Sequence, residues 1–536
     1  MESILRFFRR PQNSKMKPPK ITITCDDETI CEGSTEQKLL ADYNRYEDDN
    51  PLNLYLSILY CKLVVILGIA LPITQLLTNE VPNAFYQSFY IYLYAISILF
   101  VCFVYVISFH QAEEYNIQES RHIKRRATSF GSFYLRIGAI SFGIGSMVYS
   151  GLEFGFYFEL YDQSSCGDIF ELIKPICRMS LYVVQIQVLF LNKRYLDMES
   201  SKATSRFGLM HMLATNICEW VYVLVEETKH DIHNLANEMH LKEHDNSTSQ
   251  CTTIIGPLLH DSSVFLFPCI IEYTLICAVI LYEMWKTLNS TEKGEKEDDS
   301  SICRMAIEHK QFLENNCSRA SFGIFFGVLT IVGTIISVIM YFVLYEVNYN
   351  VAKEEVTVWE FCLYIITSAV VILIMIVIRK FRYVKQNESM VVDCKILILA
   401  QIGAYLYGFF NILAACFNPN DDTTSRVECL IDEICGLLQT SLQTLLILSA
   451  CKKRCPEKGK NRKPGRDSVL FLLVANIAMW IINTFVKGRA YFNKSHMDFY
   501  GVWAWNTMTH TAMPLAIFYR FHSTVCLYEI WKETYC

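Results

Sequence analysis

The chain has 536 residues, 52 % of them hydrophobic, 13 % aromatic and only 19 % charged, with a net charge of −6. Soluble proteins carry about 25 % charged residues to wet their surface, so this composition, with a mean hydropathy of +0.23, excludes a string of soluble domains and points to a membrane. The mildly acidic balance also excludes nucleic acid as a partner.

The chain opens with MESILRFFRR, an apolar run too short for a secretory signal. Residues 1–54 are polar and charged and are expected to form a cytosolic, largely disordered tail. The 21 cysteines are scattered, many inside apolar runs such as those around Cys102 and Cys277. They read as small core residues, not as a disulfide framework. Cys166, Cys251, Cys416 and Cys429 fall in or beside segments expected outside the cell, where oxidation can occur.

A bilayer core of about 30 Å needs about 20 apolar residues of helix. Runs of that kind lie near 55–77, 87–108, 133–158, 172–192, 206–226 and 263–286, and again near 320–345, 357–379, 394–416, 427–450, 468–488 and 504–531. Helices are the choice because lipid offers no partner to an open strand edge. The fifth and eleventh runs are expected to be the least apolar. The fold class is therefore all-α and polytopic, with twelve transmembrane helices.

Basic residues set the orientation. RHIKRR at 121–126, NKR at 192–194, RKFRYVK at 379–385 and the basic run at 451–466 occupy alternate connections, with acidic or neutral connections between them. Both termini are thus expected in the cytosol. The sequon at Asn246 lies in the longest expected external loop and is the expected glycosylation site; a second, at Asn493, lies in another.

The sequence also repeats itself. Pro268, Glu272, Tyr273 and the string Leu281-Tyr282-Glu283-Met284-Trp285-Lys286 recur without a gap as Pro514, Phe518, Tyr519 and Leu527-Tyr528-Glu529-Ile530-Trp531-Lys532. Asn216 and Trp220 recur as Asn476 and Trp480, and Cys177 with Gln185 eight residues on recurs as Cys435 with Gln443. Ile137-Gly138-Ala139 recurs as Ile402-Gly403-Ala404. Matches in one order, involving tryptophan and proline, exceed what apolar bias produces. Residues 55–288 and 320–536 are therefore two homologous six-helix halves, joined by a cytosolic linker at 289–319. Six is even, so both halves enter the bilayer from one side, as a parallel repeat.

These residues, with FGSFYLRIGAISFGIGSMVYSGLEFGFYFE at 130–159 and PLAIFYRFHSTVCLYEIW at the end, resemble the otopetrins, from about residue 55 onward. The resemblance implies a proton-selective channel in the plasma membrane, built of two barrel-like halves and assembled as a homodimer. It further implies opening by external acid and inhibition by external zinc. Protons and membrane lipid are then the expected partners, with no cofactor. A proton-coupled secondary transporter also uses parallel six-helix repeats and is the alternative. An enzyme is not expected, because the chain carries no HExxH, P-loop or GxSxG motif.

Intramembrane ionisable residues are costly and normally face protein or water. Glu272 lies deep in the sixth run, where the other half has Phe518, and His510 lies in the twelfth, where the other half has Val264. By the otopetrin pattern these two meet near Asn216 at the interface of the halves; the bland reading is a carboxylate and a histidine held for packing. Gln185, Gln443, Asn476, Tyr273 and Tyr519 are donor–acceptor groups suited to a water wire or to polar contacts between helices. Glu226, Glu227 and Glu153 are candidates for an external mouth. Five of the twelve histidines, His230, His233, His240, His244 and His260, share one expected external loop; the first four are candidate zinc ligands, or simply solvated loop residues.

Overall fold

The computed structural model describes residues 51–77, 82–118, 133–162, 169–189, 202–238, 254–289, 321–345, 347–384, 388–418, 423–455 and 464–535. Each apolar run forms one long helix. In the first half these are α1 (Pro51–Leu77), α2 (Asn83–Gln118), α3 (Phe133–Asp162), α4 (Ile169–Leu189), α5 (Lys202–Glu238) and α6 (Ile255–Asn289). In the second they are α7 (Ser321–Tyr345), α8 (Tyr349–Ile378), α9 (Glu388–Phe417), α10 (Thr423–Ala450), α11 (Arg466–Ile482) and α12 (Val502–Tyr535).

Among the described residues α1–α11 are each long and apolar enough to cross a bilayer. The exception is α12, which carries Asn506, Thr509, His510, Arg520, His522 and Ser523. The expectation that the fifth and eleventh spans would be the least apolar is corrected by this. The reason is packing: α12 is surrounded by protein, touching α9, α10 and α11 of its own half and α3, α5 and α6 of the other. Its polar groups are buried against neighbours instead of facing lipid.

The helices of each half close into a ring of one order. Neighbours run α1–α2–α4–α3–α6–α5 in the first half and α7–α8–α10–α9–α12–α11 in the second, so the sequence repeat is a structural repeat. Equivalent pairs also close alike: Gly68 of α1 lies against Cys218 of α5, and Gly327 of α7 against Val474 of α11. Without a hydrophobic force between helices in lipid, small residues let backbones approach and gain dispersion contacts. Outward faces are apolar, as with Leu59, Leu63 and Ile66 on α1 and Phe325, Leu329 and Ile336 on α7.

Three features shape the seam between the halves. Phe142 of α3 meets Trp480 of α11 and Phe521 of α12 at 5.8 and 5.2 Å, and Phe265 of α6 meets Phe485 at 5.6 Å. Next, α11 ends in a π-helical turn, Asn483–Lys487, followed by a 3-10 turn and a short helix, Lys494–Tyr500; such wider turns splay side chains and recur at functional sites. Finally, Gly501 enters α12 with φ +85°, a conformation that costs glycine little.

At the opposite end, β1 (Arg382–Tyr383), just after α8, pairs antiparallel with β2 (Lys453–Arg454), just after α10. Of the four cysteines expected near external segments, Cys416 and Cys429 form no disulfide among the described residues, while Cys166 and Cys251 lie outside them. Asn493 is buried with its amide on Asn411 at 3.2 Å, so that sequon is not open to a glycan.

Candidate functional site

The expected amides and phenols meet inside each half at equivalent places. In the first, Gln185 of α4 donates to Asn216 of α5 at 3.0 Å, and Asn216 donates back one turn to the Met212 carbonyl at 2.8 Å. In the second, Gln443 of α10 donates to Asn476 of α11 at 2.8 Å, and Asn476 donates to the Leu472 carbonyl at 2.8 Å. Tyr273 donates to the Tyr182 carbonyl at 3.3 Å, and Tyr519 to the Thr440 carbonyl at 2.9 Å. Tyr182 and Thr440 stand at one repeat position, so each half holds a glutamine, an asparagine and a tyrosine in a common arrangement.

The two layers are not equally bonded. Asn476 also donates to Gln443 at 3.0 Å, and Gln439 donates to the same Gln443 oxygen at 3.0 Å. The corresponding oxygen of Gln185 has no hydrogen-bond partner among the described residues. The first half therefore keeps an open acceptor at its centre.

Glu272 is adjacent to Tyr273, about 100° around α6. Where the phenol points into its own half, the carboxyl reaches a cleft between the halves, lined also by Glu227, Pro268, Arg489, His510 and Pro514. Glu272 is fully buried, and neither oxygen has a hydrogen-bond partner among the described residues. The Trp480 indole lies beside it without reaching hydrogen-bond geometry. A buried carboxyl group with no protein donor is tolerated when it holds a proton or when water supplies the bonds. Both conditions suit a proton relay.

His510 opens on the same cleft and meets Glu227 of α5, Nδ1 to Oε2 at 3.5 Å. Pro514 sits four residues on, and proline has no N–H to bond the carbonyl of residue i−4, here that of His510. Its counterpart Pro268 withholds a donor from the Val264 carbonyl in the same way. Both prolines face the cleft, so each half contributes a helix with a loosened turn at this level.

Asn216 is not with Glu272 and His510, contrary to expectation. It shares a face of α5 with Glu227 but lies eleven residues away, about 16 Å along the axis, inside the first half. Glu226 is half-buried beside Glu227. Glu153 does not stand at an open mouth. It is buried, ion-paired with Arg178 and with Lys174 at 3.4 Å, because α4 brings both cations against α3. Arg178 also holds Glu219 of α5 at 3.2 Å, Lys174 donates to Tyr222 at 2.6 Å, and Tyr94 donates to Glu219. His230 and His233 fall on the C-terminal end of α5 with side chains outside the described residues; His240, His244 and Asn246 lie outside them altogether.

The second half holds a charged group that the sequence reading missed. Lys487, at the end of the π-helical turn, sits among three carboxylates: Glu360 of α8 at 2.7 Å, Asp432 of α10 at 3.2 Å and Glu433 at 3.5 Å. Asn411 of α9 donates to Glu433 at 3.0 Å, and Tyr364 donates to Glu360. Lys174 and Asp432 share a repeat position, so the two halves have opposite charges there. The signal was available, since each of these residues lies within an apolar run, where any ionisable group marks a candidate.

A family model described as Otopetrin matches residues 134–254 and 237–521. The chain is 36 % identical to proton channel OtopLc of Drosophila melanogaster over 89 % of its own length and 35 % of that relative. It thus spans about a third of this longer protein. It is 22 % identical to proton channel OTOP2 of Mus musculus, over 75 % of the chain and 82 % of the relative. With proton channel OTOP1 of Danio rerio the identity is 18 %, over 78 % and 81 %. The family model covers most of the chain, and with the first of these relatives it shows that the chain belongs to the otopetrin family.

Proposed function

We propose that this chain is a proton-selective channel of the plasma membrane, with both termini in the cytosol, and that it works as a channel and not as an enzyme. The observation that carries the reading is the cleft between the halves, where an unpartnered buried carboxyl, Glu272, and an imidazole, His510, face one space. Groups that both take up and release protons, linked by water, pass protons without a pore wide enough for other cations. The relatives named proton channels support the same reading. External acid opens the path, with Glu226 and Glu227 at its outer end. Glu153 belongs instead to the buried charge network that fixes α3 and α4. The functional unit is a homodimer.

External zinc inhibits through His230, His233, His240 and His244, and Asn246 carries a glycan. Neutral imidazole ligates zinc and imidazolium does not, so inhibition weakens as pH falls. Replacing the four histidines together by alanine blunts the block; unchanged zinc sensitivity at constant pH defeats this part of the reading.

The decisive experiment is a patch-clamp reversal potential measured against the pH difference across the membrane. A channel gives a shift that follows the proton gradient, and Glu272→Gln removes most of the current while protein still reaches the surface. Currents that require a second substrate, or that ignore the proton gradient, defeat the proposal.

A further inference from the structure

We propose that the β1–β2 arm is a docking site for anionic phospholipid of the cytosolic leaflet, and that it ties lipid charge to α12. The inference rests on the orientation proposed above. Arg379, Lys380, Arg382 and Lys452 are exposed on this arm, and none forms an ion pair among the described residues. Arg454 is different, being paired with Glu533. The neighbouring acid Glu533 is therefore engaged, and among the described residues no carboxylate pairs with the exposed cations.

Between them stands Tyr383, 72 % exposed, followed by Val384, 44 % exposed. Lys453 lies over the Tyr383 ring at 5.1 Å. An exposed ring and an aliphatic side chain flanked by cations fit the interfacial zone, where the ring sits at headgroup depth and the cations meet phosphate. A protein partner is the less economical occupant, because it would have to cover the aromatic and all four cations at the level of the bilayer surface.

The arm is also bonded to the C-terminal end of α12. Cys455 N–H donates to the Thr534 carbonyl at 3.2 Å, and the Thr534 hydroxyl donates to the Lys453 carbonyl at 3.3 Å. Tyr535 donates to the Pro464 carbonyl at 3.0 Å and meets Phe381 at 6.0 Å. Thr534 and Tyr535 end α12, the helix that carries His510. A lipid that orders the arm therefore orders the inner end of the helix at the seam.

The test uses the full chain reconstituted in vesicles of phosphatidylcholine, with or without phosphatidylserine. Proton flux is read by an enclosed dye, and retained lipid by native mass spectrometry. Each basic residue near an anionic surface contributes about fivefold in affinity. Changing Arg379, Lys380, Arg382 and Lys452 together to Gln is expected to lower phosphatidylserine retention by about 600-fold if the four contribute independently. The same variant loses the rise in flux that phosphatidylserine gives, while its flux in phosphatidylcholine is unchanged. A second variant, Arg382→Lys with Lys452→Arg, keeps the charge and keeps the binding. Equal retention of phosphatidylserine by wild type and the Gln variant overturns the proposal. An epitope placed within 456–463 separates the two readings. Staining from outside intact cells overturns the orientation, whereas inside staining with no lipid preference overturns the docking site alone.

Discussion

Replacing His496 by phenylalanine should remove an acid-sensitive weakness from the segment that enters α12. His496 lies on the short helix Lys494–Tyr500, 1 % exposed, with its ring 5.0 Å from Trp505 and its Nε2 without a hydrogen-bond partner among the described residues. Burial and, secondarily, the nearby charge of Lys353 bring the imidazole pKa down to about 3, against a small opposing pull from the Asn411 backbone. Once the segment opens, the imidazole titrates near its ordinary value of about 6.5. Between about pH 6.5 and pH 3 the open state therefore binds a proton that the packed state does not, and packing weakens as pH falls. At pH 5 the difference is about 1.5 pH units, or about 2 kcal/mol. Hydrogen exchange of the Lys494–Tyr500 amides reads this directly. Corrected for intrinsic rates, opening at pH 5 should be about 30-fold more frequent than at pH 7 in wild type, and nearly pH-independent in His496→Phe. The same pH dependence in both proteins would refute the reasoning.

Gln443→Ala breaks three side-chain hydrogen bonds and Gln185→Ala one; at about 1 kcal/mol each, Gln443→Ala should be the more destabilising by about 2 kcal/mol in heat-inactivation assays, and equal losses would contradict the stated bonding. Lys487→Met leaves three buried carboxylates without their cation and should cost about 3–5 kcal/mol. Glu433→Gln, which keeps the amide-sized volume and lowers the excess of acid, should be far milder; the reverse ranking in surface expression would show that the cluster is held differently. His510→Ala and Glu227→Gln should couple in a double-mutant cycle of proton current, because the pair is in contact. Strict additivity would separate them.

The all-helical, many-spanning class was legible because lipid enforces length and apolarity, and the internal repeat because rare residues recur at fixed spacing. The equivalence of Gln185 with Gln443 and of Asn216 with Asn476 was legible for the same reason, but the contact between glutamine and asparagine was not, because a shared offset marks equivalent places and not touching ones. The partner of His510 was not. It depends on how far up α5 the seam lies, and no local pattern encodes a distance between helices from different halves. The Lys487 cluster escaped because its members come from α8, α10 and a π-helical turn, so no spacing joins them. Glu153 was misplaced because a single carboxylate near a helix end looks alike whether water or a lysine from the next helix meets it.

The polarity of α12 also bears on how the molecule is made. A segment with an arginine, two histidines and several hydroxyls and amides in its length gains little by leaving the translocon for lipid, where a single central arginine costs about 2.5–3.5 kcal/mol on insertion scales. Its acceptors and donors are Gln439, Thr440, Thr444 and the Asp393 carbonyl, all synthesised earlier in the chain. The last helix thus enters a berth that α9 and α10 have already built. Completion of the seam waits on α12, so a nascent chain still lacking it would hold an unfilled gap in its second half.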